Sequence, residues 1–196
     1  MATTEQVWAL HDAMPDRYRA AVLLGAFIGL RTAEVCGLRV VDVDFMRGIV
    51  APAVQYPAEP LKTETARTAV PIPQSLALML AAHVERCPAE TVLSGEAGGQ
   101  VGPWALERAV RRARAAVDGL VDGFRYHDLR HYFASLLIVS GGDVKTVQGR
   151  LRHASAKTTL DTYGHMWPDR DESTRAAVEA ALAAREEFLR NAGASP

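Results

Sequence analysis

The sequence predicts a mainly α fold with one small antiparallel β-sheet, an α+β arrangement, and three observations lead there. Apolar residues recur at three- and four-residue spacing through most of the chain. A single β-rich stretch, residues 39–72, breaks that pattern with rough alternation, a glycine turn and threonines. Helix-starting residues stand before the apolar runs: Thr3, Asp16, Pro73, Pro103, Asp143 and Ser155. Without an internal repeat or a low-complexity linker, 196 residues suit one domain.

In order, Thr3-x-x-Gln6 has the form of a capping box, and Val7, Leu10 and Met14 continue a helix that Pro15 stops. Asp16 can cap a second helix, Arg17 to Ile28, which Gly29 breaks, and a short third helix runs from Arg31 to Leu38. A strand is expected over Arg39–Phe45, returning as Ile49–Val54 after Arg47-Gly48, with a further strand or hairpin over Leu61–Ile72. Pro73 suits a first helical position, so Gln74 to Arg86 is helical, burying Leu76, Met79, Leu80 and Val84. Residues 94–99 form a loop, and a helix from Trp104 to Val117 carries Arg108, Arg111, Arg112 and Arg114. Further helices run from Tyr126 to Val139, from Asp143 to Leu151, from Ser155 to near Tyr163, and, as an amphipathic tail, from Asp171 to Asn191.

Composition, at 48% apolar and 23% charged, is that of a chain with a packed core. No run approaches the roughly 18 apolar residues of a membrane span. The amino terminus lacks the basic region of a secretory signal. Cys36 and Cys87 stand in apolar helical contexts without metal-ligand spacing, as buried thiols of a reducing cytoplasm would. The net charge of −1 hides a gradient. Residues 1–100 carry 8 Lys and Arg against 11 Asp and Glu, residues 101–170 carry 11 against 7, and the last 26 carry 3 against 5. The basic excess therefore lies in the segment that holds most of the candidate residues below, where a phosphate backbone would want it.

Singly, those candidates are ordinary. His127 and Arg130, three apart on one helix, can reach one ligand, but a helix start with a surface Arg looks the same. Arg31 with Glu34 reads as an ordinary helix-surface ion pair, and Lys62 as a solvated strand position. His153 suits a helix start, and Tyr163 a packed aromatic at a helix end. Joint occurrence in order is what distinguishes them: GLRTAEVCGL, LKTETARTAVPI, HDLRH, LRHAS and DTYGH. With these blocks the chain, from about Ala20 to His165, resembles the catalytic domain of the tyrosine recombinases, the phage-integrase family.

The resemblance implies that fold and a set of roles. Arg31 corresponds to the first arginine on the scissile phosphate, and Glu34 to the acidic residue that orients it. Lys62 corresponds to the hairpin lysine that protonates the leaving 5′ oxygen, with Arg67 as the basic residue leading into the closing strand. His127 and Arg130 match the H-x-x-R pair, His153 the second histidine, and Tyr163 the nucleophile that forms a 3′-phosphotyrosine. The chemistry is consistent: two guanidiniums can clamp non-bridging oxygens, and a covalent phosphotyrosine keeps the bond energy for rejoining. No cofactor and no metal are expected, since cations supply the charge and no carboxylate cluster is present. Where the family usually has Gly before the second histidine, this chain has Arg152, which is expected to add a phosphate contact. Arg111 and Arg112 are further candidates for DNA binding.

The expected organisation is a catalytic domain over residues 1–168 and a tail helix over 169–196 that docks in cis or on a neighbouring protomer. The helical core-binding domain usual upstream in such enzymes finds no room here, so the chain is expected to be a fragment. The implied partner is double-stranded DNA carrying recombination sites. The implied assembly is a homotetramer on DNA and a monomer when free, helped by directionality or host accessory factors in the bacterial cytoplasm, with no membrane. A type IB topoisomerase-like enzyme and a catalytically silent DNA-binding module are the competing readings.

Overall fold

The computed structural model describes residues 1–61, 63–95, 98–167 and 171–192, and in the last segment the side chains of 175–176, 178–188 and 190. The expected capping box is present at the first helix, α1 (Thr4–Ala13): Gln6 N–H donates to Thr3 Oγ1, and Thr3 N–H to Gln6 Oε1. Val7, Leu10 and Met14 are buried. Asp16–Tyr18 makes a 3-10 turn, and α2 (Arg19–Phe27) follows, buried continuously from Ala20 to Ala26. A helix apolar on all sides has to be enclosed, and α2 lies in the core of residues 1–164. It packs most extensively on α6 (Tyr126–Val139). The approach is close at Gly25, where a Cβ would lie 2.9 Å from the Tyr126 hydroxyl and 3.0 Å from Leu129 Cβ.

After α3 (Thr32–Gly37), the β-rich stretch is shorter and more broken than its alternation predicts. Val40–Asp42 is a 3-10 turn because the Asp42 carboxylate accepts from the Arg39 N–H and guanidinium, curling the chain back on itself. Val41 is consequently exposed rather than inward. Strands β1 (Val43–Asp44), β2 (Ile49–Val50) and β5 (Val70–Pro71) pair antiparallel in the order β1-β2-β5, and β3 (Val54–Gln55) pairs with β4 (Glu59–Pro60). The strand expected over Leu61–Ile72 reduces to β5. Thr65–Arg67 is a 3-10 turn, with Thr63 Oγ1 accepting from Ala66 N–H, the local side-chain bond by which threonine competes with a ladder.

Helix α4 (Gln74–Arg86) has its expected limits, whereas α5 (Pro103–Ala113) gives way to a 3-10 turn over Arg114–Ala116. Helices α7 (Val144–Leu151) and α8 (Ala156–Tyr163) begin at Asp143 and Ser155, whose side chains accept from Thr146 N–H and Thr158 N–H. Both cysteines are buried, and burial, followed by the Glu107 charge, pushes the Cys36 thiol up to about 12. Residues 1–164 form one compact unit and 165–196 a second. The second holds α9 (Asp171–Ala192), where Val178, Leu182 and Phe188 are exposed and the Arg185 guanidinium lies 5.4 Å from the Phe188 ring centre. Among the described residues no helix is long and apolar enough to cross a membrane.

Candidate active site

Arg31 enters the site as the N-cap of α3, reached through Gly29, whose φ of +72° turns the chain off the end of α2. Its extended backbone places Glu34 at the third helical position, where the carboxylate accepts from the Arg31 N–H and from Nη1, each at 2.8 Å. Glu34 is almost wholly buried, while the Arg31 side chain keeps 40% exposure. One edge of its guanidinium is thus anchored, while the side chain stays open to solvent.

Arg130 lies on α6 and is buried. Its Nη1 donates to the Gly29 carbonyl and its Nη2 to the Leu151 carbonyl. Burial, then the positive charge of Arg31, lowers it to about 10, so it is still a cation at neutral pH. Arg31 Nη2 donates at 3.3 Å to the carbonyl of the next residue, Arg152. Consecutive carbonyls at the end of α7 therefore hold the two arginines, and the left-handed backbone of Arg152 (φ 53°, ψ 42°) separates their directions.

His153 follows that turn. Its Nδ1 is 2.9 Å from Thr159 Oγ1, and its carbonyl accepts from Gln148 Nε2. Partial burial, followed by Arg130, Arg31 and His127, pushes the ring down to about 4, so it is neutral at ordinary pH. His127, exposed on the first turn of α6, is lowered by desolvation first and then by His131 and Arg130. Tyr163 closes α8, is 4% exposed, and shares a 2.8 Å hydrogen bond with His131 Nδ1. Burial raises its phenol, and the Arg130 charge opposes that rise.

The fold thus brings Arg31, Glu34, His127, Arg130, His153 and Tyr163 within hydrogen-bonding or electrostatic reach of one another. Lys62 lies outside the described residues. Arg111 and Arg112 are exposed on α5. The phosphate contact expected of Arg152 is corrected: its side chain is fully buried and its Nη2 donates to Glu34 Oε2, so it faces the protein interior. His131 is the residue the sequence reasoning passed over. It stands in the HDLRH block, four residues from His127, whose ring it meets edge-on at 4.8 Å. That i, i+4 spacing was the available signal.

Paired guanidiniums, imidazoles lowered by their surroundings and a tyrosine hydroxyl are groups that can hydrogen-bond an oxyanion. The profile described as the Phage integrase family matches residues 1–170, and the chain belongs to that family. Tyrosine recombinase XerC of Chromohalobacter salexigens is 34% identical over 151 residues, covering 76% of this chain and 49% of the relative. The putative prophage phiRv2 integrase of Mycobacterium tuberculosis is 29% identical over 200 residues, covering 95% of this chain and 52% of the relative. The chain thus spans about half the length of these relatives. Among solved structures, the Tn1549 transposon integrase in complex with a circular intermediate DNA superposes with a TM-score of 0.74 at 17% identity, covering 91% of this chain and 65% of that one. XerA recombinase gives 0.70 at 21%, covering 92% and 64%. At such identities these structures establish the fold.

Proposed function

We propose that this chain is the catalytic module of a site-specific DNA recombinase of the integrase kind, and that Tyr163 is its nucleophile. The observation that carries the reading is the Tyr163 hydroxyl, bonded to His131 and within the field of Arg130, beside a clamp in which Arg31 is still half open. Arg31 and the remaining N–H groups of Arg130 hold the non-bridging oxygens of the scissile phosphate, where charge accumulates in the transition state. His127 and His153, neutral in the free protein, donate further hydrogen bonds to the same oxygens. The Tyr163 oxygen bonds to phosphorus as the bond to the 5′ oxygen breaks. The phenol proton passes to His131, and the leaving 5′ oxygen takes a proton from Lys62, as the family resemblance implies. An ordinary tyrosine is ionised in roughly one molecule per thousand at pH 7, a deficit of about 4 kcal/mol that this proton acceptor must offset. Attack of a 5′-hydroxyl on the phosphotyrosine reverses the step on a new strand without ATP.

The assembly follows from the same reading: double-stranded DNA as substrate, four copies on paired sites, and a single copy when free. The lambda integrase tetramer, to which the chain is similar in fold (TM-score 0.62, 20% identity), is described as bound to a Holliday junction. The exposed apolar residues of α9 supply a surface for docking on a neighbouring copy, and accessory proteins for direction of the reaction belong to the same proposal.

The test is a duplex nicked next to the cleavage site, which traps the covalent adduct, used with the full-length protein. Adduct formation by wild type and its loss in Tyr163→Phe are expected. An undiminished adduct in the variant, or none with wild type on its own recombination site, overturns the reading. Relaxation of supercoiled plasmid irrespective of sequence would point to a topoisomerase instead.

A further inference from the structure

Arg152 carries a long side chain on a left-handed backbone that glycine adopts freely and other residues adopt at a cost. Its guanidinium is fully buried, and its Nε–H meets no acceptor among the described residues, which is a second cost. Glycine would incur neither. What the side chain gains is two links made at once by a planar fork: Nη2 to Glu34 Oε2, and Nη1 to the Ala66 carbonyl at 3.3 Å. Glu34 is the group that anchors Arg31, and Ala66 lies in the turn that leads to β5. The Arg152 main chain meanwhile supplies the carbonyl that accepts from Arg31 Nη2.

We propose that Arg152 is a positioning residue for the phosphate clamp, acting through Glu34 and the 65–67 turn without touching DNA. A buried carboxylate shared between two guanidiniums pulls less on each. With Arg152 present, Glu34 anchors Arg31 while leaving it donor capacity for an incoming phosphate oxygen. With Arg152 removed, Glu34 faces Arg31 alone and draws it inward, and the 65–67 turn loses its tie to the clamp. The inference rests on the recombinase reading above, because positioning is defined here against strand cleavage.

The experiment compares wild type, Arg152→Gly and Arg152→Lys in the full-length protein, using the nicked duplex in single turnover together with DNA affinity over a range of salt. Glycine suits the left-handed backbone, so Arg152→Gly keeps the fold and removes only the side chain. Its cleavage rate constant at saturating DNA is expected to fall about 10²-fold, the scale set by misplacing a reacting group by about 1 Å. Adduct end-point, DNA affinity and salt dependence should be those of wild type. Lysine reaches Glu34 or Ala66 but not both, so its rate constant should lie between the two. A wild-type rate constant in Arg152→Gly overturns the inference. So does weaker, less salt-dependent binding with unchanged cleavage, which marks a DNA contact. A reduced end-point at an unchanged rate constant marks a merely structural role and also overturns it. Absence of any adduct with wild type is a different result: it removes the recombinase reading, and this inference with it.

Discussion

His131 Nδ1 and the Tyr163 hydroxyl stand 2.8 Å apart, joining the middle of α6 to the last residue of α8. The bond ties the candidate nucleophile to the helix that carries His127 and Arg130, so one rigid element sets the position of three chemical groups. In the tautomer with Nδ1 unprotonated, it also gives the phenol a proton acceptor in a place where burial raises its pKa.

Removing that acceptor should slow cleavage more than binding. In His131→Ala the rate constant for adduct formation is expected to drop by about 10²-fold, the lower range of general-base effects, with DNA affinity unchanged. Quenched-flow measurement on the nicked duplex reads it. A wild-type rate in His131→Ala would exclude His131 as the proton acceptor.

The helices were legible because their signals are local. Thr3, Asp143 and Ser155 cap where they should, and α4 and α6 have the limits that apolar spacing predicts. The sheet was less so. Asp42 and Thr63 bond to backbone nearby and curl segments whose composition favours strands, a competition decided by single hydrogen bonds. In the candidate site, the order of motifs singles out Arg31, Glu34, His127, Arg130, His153 and Tyr163, which the fold brings near one another. Where Arg152 points was not legible, because its partner Glu34 is 118 residues away in the chain. His131 could be found only by asking which residue shares a helix face with His127.

Protonation of the site should be linked to both folding and binding. His153 is held at about 4, against an ordinary 6.5, by burial first and by the cations around it second. The unfolded chain therefore binds more protons between those values. Stability is whole above about pH 6.5 and declines as pH falls toward about 4, by less than the full titration energy because the ring is partly solvated. A phosphate in the site reverses the electrostatics, raising His153 and His127, so binding takes up protons. Affinity for DNA should rise from about pH 7 to about 5 at constant ionic strength. Fluorescence anisotropy reads this, and the slope should diminish in His153→Gln. A flat profile in wild type contradicts it.

Gly29 couples the fold to the clamp. Its φ is +72°, a Cβ there would lie 2.6 Å from Phe133 Cδ1, and its carbonyl accepts from Arg130. Gly29→Ala is expected to destabilise by about 1–3 kcal/mol through overpacking and backbone strain, and to lower cleavage as well. Gly149, inside α7 with open space around its Cβ position, is the contrast. Gly149→Ala should stabilise by about 0.5–1 kcal/mol. Urea denaturation of both variants measures the pair, and equal effects would contradict the assignment.

Arg111 and Arg112 are exposed in the last turn of α5, and the proposed function makes each a candidate contact to a DNA phosphate. Each phosphate left without its arginine should lessen the slope of log K against log salt by about 0.9. The double alanine variant should therefore bind more weakly by a similar factor on every sequence, with a slope reduced by about 2. Its cleavage rate constant at saturating DNA is expected to be that of wild type. That pattern is the opposite of the one expected for Arg152→Gly, in which rate changes and affinity does not. An unchanged salt slope in the double variant would remove α5 from the DNA-binding surface.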